Sequence, residues 1–135
     1  MKVCVAVACG FLALALVAPS GLAAGKGGET QVVCLTAKTL QKERRVKPRR
    51  CVFHRRHAPK AEAFLVRTTH DHWRVWKKQR AKGRGRSQPS MGPSTKVKIK
   101  LFDPVHRCGH RVFSRAHFFF PKFNSGSTMK IDVCA

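Results

Sequence analysis

Lys96-Val97-Lys98-Ile99-Lys100-Leu101 carries an apolar side chain at every second position and a lysine at each position between. Successive side chains of an extended strand point to opposite faces, so Val97, Ile99 and Leu101 belong to a core and the lysines to water. Period two recurs on both sides of this segment. Toward the C-terminus, Phe102-Asp103-Pro104 is expected to end the strand, and Arg111 to Phe120 supplies another. Either face of that strand offers aromatics: Phe113 and Phe119, or Phe118 and Phe120. Asn124 to Ser127 reads as a turn, after which Met129, Ile131 and Val133 alternate with Lys130 and Asp132.

Toward the N-terminus, Ser87 to Ser94 is a loop by composition, with Pro89, Gly92 and Pro93. From His72 to Arg86, Trp73, Val75, Ala81, Gly83 and Gly85 interleave with Arg74, Lys82, Arg84 and Arg86. Trp76 falls out of phase, the sign of a bulge or of an aromatic on the opposite face. Ala61 to Thr69, Cys51-Val52-Phe53 and Gln31 to Leu35 read as further strands, and the charge-dense Lys38 to Arg50 as a solvated connection. No segment holds an apolar stripe at helical spacing over three turns. About seven short strands separated by turn signals imply an all-β fold, a small β-sandwich of immunoglobulin-like or similar kind.

The chain begins Met1-Lys2, continues from Val3 to Ala18 without a charge, and reaches Pro19-Ser20-Gly21-Leu22-Ala23-Ala24. Positive start, apolar stretch, helix breakers and small residues follow the order of a signal peptide. Cutting after Ala23 leaves Gly21 and Ala23 at the two positions that must be small. An uncleaved anchor is the rival, but Pro19, Ser20 and Gly21 interrupt the stretch before it reaches the roughly 20 apolar residues of a span. The expected organisation is a signal peptide at 1–23, a flexible basic lead-in with one short strand at 24–50, and a β-sandwich domain at 51–135. The protein is expected to be secreted, with no transmembrane segment after cleavage.

Cys4 and Cys9 leave with the leader, and Cys34, Cys51, Cys108 and Cys134 remain. An even set without C-x-x-C spacing, in an oxidising compartment, reads as two structural disulfides rather than a metal or redox site. Lys2 is the only charged residue of the leader, so the remainder carries +21, one less than the +22 of the whole chain. Solubility needs a net charge of only roughly 2 to 8. The excess therefore implies an anionic partner: nucleic acid, cell-wall polymer or extracellular polysaccharide. Arg74, Lys82, Arg84, Arg86, Lys96, Lys98 and Lys100 are the candidate contacts, because each alternates with a small or apolar residue and twisted strands gather such rows into one surface.

No catalytic, cofactor or metal site is expected. His70 and His72 share a strand face and His106 and His110 flank Cys108, but the set of ligands for a metal is incomplete. The six acids are Glu29, Glu43, Glu62, Asp71, Asp103 and Asp132, and no two of them have the context of paired catalytic carboxylates. Ser114, Ser125 and Ser127 lack a G-x-S-x-G context. Lys82-Gly83-Arg84-Gly85-Arg86 fits a strand with glycine on the core side and cations outside. Trp73 and Trp76 are expected in the core. A nuclease-like enzyme using histidines and a cationic antimicrobial or membrane-active protein are the alternatives to non-catalytic binding.

Cys51-Val52-Phe53, Ala61-x-Ala63 with Leu65, Trp73-x-x-Trp76 and Ala81-x-Gly83-x-Gly85 are followed by Val97-x-Ile99-x-Leu101 with Pro104. Cys108-Gly109 and Val112-Phe113-Ser114-Arg115-Ala116 complete the series. This arrangement, from Cys51 to about Phe120, resembles small secreted actinobacterial proteins of unassigned function. The resemblance implies a β domain and supplies no catalytic residue. Four cysteines allow three connectivities. Cys51 and Cys108 share the resembling region while Cys34 and Cys134 lie near the ends, so the expected pairs are Cys51 with Cys108 and Cys34 with Cys134.

Overall fold

The lysine-alternating segment lies in a thirteen-residue strand, β6 (Thr95–Arg107), in the interior of one antiparallel sheet. The computed structural model describes residues 28–135, so the proposed leader and cleavage site lie outside the described residues. The other strands are β1 (Val32–Leu35), β2 (Lys42–Arg45), β3 (Arg50–His54), β4 (Leu65–Trp76), β5 (Ala81–Ser87), β7 (His110–Phe120) and β8 (Ser125–Lys130). Their order across the sheet is β2-β1-β3-β4-β5-β6-β7-β8. From β3 onward each strand pairs with its successor, a meander that needs only short turns. Single 3-10 turns at Glu62–Phe64 and Pro121–Phe123 lead into β4 and β8. Among the described residues no helix is long and apolar enough to cross a membrane.

The fold is all-β, as expected, and the sandwich takes the form of a single eight-stranded sheet folded over its own core. Gln31, just before β1, bridges Val112 of β7, donating its amide to Arg111 O at 3.0 Å and accepting from Phe113 N at 2.9 Å. At the other end Arg55 bridges Ile131, and Asp132 N donates to His54 O at 3.2 Å. These contacts bring strands from opposite ends of the sheet together. The core between them is built from Val32 and Cys34 of β1, Phe53 of β3, Ile99 and Leu101 of β6, Phe113 and Phe118 of β7, and Ile131. Phe53 and Phe118 meet edge to face with centroids 5.0 Å apart. Trp73, Trp76 and Phe113 continue the edge-to-face contacts at 4.8 and 5.6 Å. Each such pair adds about 1 kcal/mol beyond its buried area. The tryptophans are core residues, and their indole N–H groups donate to Pro48 O and Thr30 O at 2.8 and 2.9 Å.

Four expectations need correction, the first being that Asn124 to Ser127 forms only a turn: Ser125 to Ser127 open β8 and pair with Phe118 to Phe120 of β7. The disulfides pair Cys34 with Cys51 and Cys108 with Cys134, replacing Cys51 with Cys108 and Cys34 with Cys134. β1 lies beside β3, which sets the Cα atoms of Cys34 and Cys51 5.1 Å apart, and the segment after β8 carries Cys134 back to the β6–β7 turn. Residues 38–50 are not only a connection, because β2 forms within them and pairs with β1 from Val32↔Arg45 to Leu35↔Lys42. All four residues of β1 are buried, so this part of the expected lead-in belongs to the same sheet as the rest. Finally, β6 does not end at Pro104. Asp103 adopts a left-handed backbone (φ 54°), its carbonyl accepts a 2.6 Å bond from Ser114 Oγ, and pairing with β7 resumes at Pro104↔Phe113.

Candidate functional site

β5 and β6 run antiparallel in a register that sets cation directly opposite cation: Lys82↔Lys100, Arg84↔Lys98 and Arg86↔Lys96. Between them the core-side pairs are Ala81↔Leu101, Gly83↔Ile99 and Gly85↔Val97. All six cations are exposed, whereas Val97, Ile99 and Leu101 are buried. Like charges directly opposite are unfavourable, by a few tenths to about 1 kcal/mol per pair. Here three such pairs stand in consecutive outward rows.

Two bulges in β4 complete the face. Between Thr69 and His72 the register slips, with His70 at φ 54°, and it slips again between Trp73 and Val75. The second bulge is the one signalled by Trp76. It lets Trp73 and Trp76 pack against the core while Arg74 remains exposed and Val75 pairs with Lys82. The first bulge turns Asp71 inward. Its Oδ2 accepts a 2.6 Å bond from Thr68, its amide donates to Arg49 O at 3.0 Å, and Oδ1 is buried without a partner. Burial raises this carboxyl from 3.8 to about 6, against the lowering effect of the Thr68 hydroxyl.

Gly83 and Gly85 face inward, as the strand reading of Lys82 to Arg86 requires, and the reason is space. A Cβ at 83 would stand 2.8 Å from Trp73 Cε3, and one at 85 would collide with Asp71 Oδ1. The glycines thus admit Trp73 and Asp71 beneath the strand whose cations face out.

The structure brings all seven expected polymer-contacting residues onto one face. A groove of about 580 Å3 is lined by Arg74, Val75, Lys82, Arg84, Lys98, Lys100, His117 and Phe119. A second, of about 420 Å3, holds His70, His72, Arg86 and Lys96 and shares Arg84 and Lys98 with the first. Arg86 is steadied by Ser94, through Nε to Oγ at 3.0 Å. Among the described residues none of the seven cations is in an ion pair. The acids are engaged elsewhere: Glu29 with Lys47, Glu43 with Arg45, Glu62 with Arg67, Asp103 with Arg115, and Asp132 with His54 and Lys42. Asp71 is buried.

His117, Phe119 and Val75 were not singled out for this face from the sequence. The register that sets Lys98 opposite Phe119 and Lys100 opposite His117 places them there, and no local pattern reveals it. His54 was likewise missed. It is buried, with Nδ1 2.8 Å from Asp132 Oδ2 and Nε2 3.2 Å from Pro59 O, and it ties β3 to the C-terminal segment. Among the described residues no three His, Cys, Asp or Glu side chains converge to hold a metal.

His72 on β4 and His117 on β7 are separated by β5 and β6, roughly 14 Å at about 4.8 Å per strand, too far to act together on one phosphate. No family model, curated protein or solved structure matches the chain.

Proposed function

We propose that this is a secreted, non-catalytic protein that holds anionic polymers against the β4–β7 face. The observation that carries the reading is the set of three like-charged pairs across β5 and β6, none of whose cations is in an ion pair among the described residues. Such an arrangement disfavours folding unless an anion occupies it. Two disulfides and the folded sheet supply the stability against which that repulsion acts. Export, inferred from the leader, suits a protein whose cysteines are oxidised.

Titration of the purified protein against duplex DNA and heparin at several salt concentrations tests this. Log affinity should fall linearly with log salt, by about 0.9 for each phosphate contact on duplex DNA. Replacing Lys96, Lys98 and Lys100 with Gln should reduce that slope while the fold persists. Absence of binding at low salt, or binding insensitive to salt, overturns the reading.

One observation favours hydrolysis of nucleic acid as a second reading. His106, His110, Lys78 and Arg111 line a single cavity of about 540 Å3 beside the β6–β7 turn. Two imidazoles with adjacent cations are the groups that general acid–base cleavage of a phosphodiester uses. Loss of cleavage on replacing His106 and His110 with Ala, with affinity retained, would establish it; no cleavage by the parent protein disposes of it.

A further inference from the structure

The cationic face contains an element that charge recognition does not use. Phe118 is fully buried, so period two in β7 turns Phe119 to the opposite, cationic side. Phe119 stands opposite Lys98, its ring centroid 5.8 Å from Lys98 Nζ, on the floor of the larger groove. On its other flank the register partner is Gly126 of β8, which has no side chain to cover the ring. His117 occupies the adjoining space, since a Cβ at Gly126 would lie 3.1 Å from its Cε1 and Nε2. Its Nδ1 is held 2.8 Å from Thr128 Oγ1, which fixes the imidazole in place. Two flat π-systems, one of them anchored, therefore line a groove walled by cations.

We propose that the polymer this face takes is single-stranded nucleic acid, with Phe119 and His117 receiving bases while β5 and β6 hold phosphates; this rests on the polyanion reading above. Alternate residues on a strand stand about 6.8 Å apart. That interval is close to the spacing of successive phosphates in an extended single strand, so Lys96, Lys98 and Lys100 match the backbone one for one. Aromatic side chains stack on unpaired bases whatever their identity, because every base has a π-face. A duplex keeps its base faces inside and offers the groove only phosphates. Anionic polysaccharide offers charge with no π-face.

The test uses the full chain and four probes in fluorescence anisotropy: an oligothymidylate, an abasic deoxyribose-phosphate strand of the same length, a duplex of matched phosphate number, and heparin. Oligothymidylate should bind at least roughly fivefold tighter than the abasic strand, at the low end of what stacking one base supplies. Phe119→Leu keeps an apolar side chain and should reduce that preference severalfold, His117 supplying what remains, while abasic affinity and salt slope stay unchanged. Equal affinity for thymidylate and abasic strands, or tighter binding of the duplex, overturns the proposal while leaving polyanion binding intact. A Phe119→Leu variant that weakens all four probes alike also overturns it, because the ring is then structural. Failure of every probe to bind at low salt removes both readings.

Discussion

The carboxylate of Asp71 fills the space that a side chain at Gly85 would need, so the neutral centre of the Arg84-Gly85-Arg86 triplet is fixed by an acid beneath it. Gly85→Ala would drive a methyl into Asp71 and to within 3.0 Å of Thr69 O. We expect a loss of about 1 to 3 kcal/mol, the range for overpacking, read from the midpoint of guanidinium unfolding. In the double variant with Asp71→Ala the loss should be less than the sum of the two single losses, because the two side chains compete for one space. Strict additivity would show that the contact does not decide the glycine.

Asp71 also sets a pH dependence. Its carboxyl holds a proton more tightly folded, at about 6, than at the ordinary 3.8. A raised folded value contributes stability that is complete below about 3.8 and is lost as pH rises through about 6. Relative to Asp71→Asn, the parent should therefore lose about 2 kcal/mol between pH 4 and pH 7. The comparison cancels the titration of the other groups. Parallel stability curves for the two proteins would contradict it.

Non-reducing peptide mapping should recover Cys34 joined to Cys51 and Cys108 joined to Cys134. The separations are 17 and 26 residues, for which the chain-entropy account gives about 3 kcal/mol each. Replacing Cys34 and Cys51 together with Ser should lower unfolding stability by that order. A Cys51–Cys108 peptide would refute the strand order around β1.

Relief of repulsion across β5 and β6 should make the weaker binder the more stable protein. With Lys96, Lys98 and Lys100 replaced by Gln, each of the three cross-strand pairs loses one of its charges. Stability at low salt should rise by about 1 kcal/mol in total, and added salt should erase the gain. Lower thermal stability of the triple variant at low salt would show that the lysines brace the sheet.

Period two made the outward face legible before any pairing was known. Lys96 to Leu101 and Lys82 to Arg86 state which residues face water, and a strand can satisfy that pattern in only one orientation. Trp76 announced its bulge by breaking phase. What escaped depends on partners distant in sequence. Phe119 joins the cations only through the β6–β7 register, the Cys34–Cys51 disulfide follows from β1 inserting between β2 and β3, and Cys108–Cys134 from the segment after β8 returning to the β6–β7 turn. β2 was hidden because Lys42-Glu43-Arg44-Arg45 has no apolar face; it is an outer strand held by pairing with β1. Pro104 reads as a strand end, since proline lacks an amide to donate, yet the positive φ of Asp103 lets β6 run on to Arg107.

Alternation along β5 and β6 separates two kinds of change. Exchanging Lys82, Arg84, Lys96 or Lys98 for another polar residue touches nothing in the interior, so the charge of this surface can be rewritten position by position. Inserting or deleting a single residue in either strand would instead turn lysines inward and Ile99 and Leu101 outward. The binding surface is thus open to retuning by substitution and closed to change in length, which leaves variation in size to the loop between β5 and β6, residues 88–94, and the turns at the strand ends.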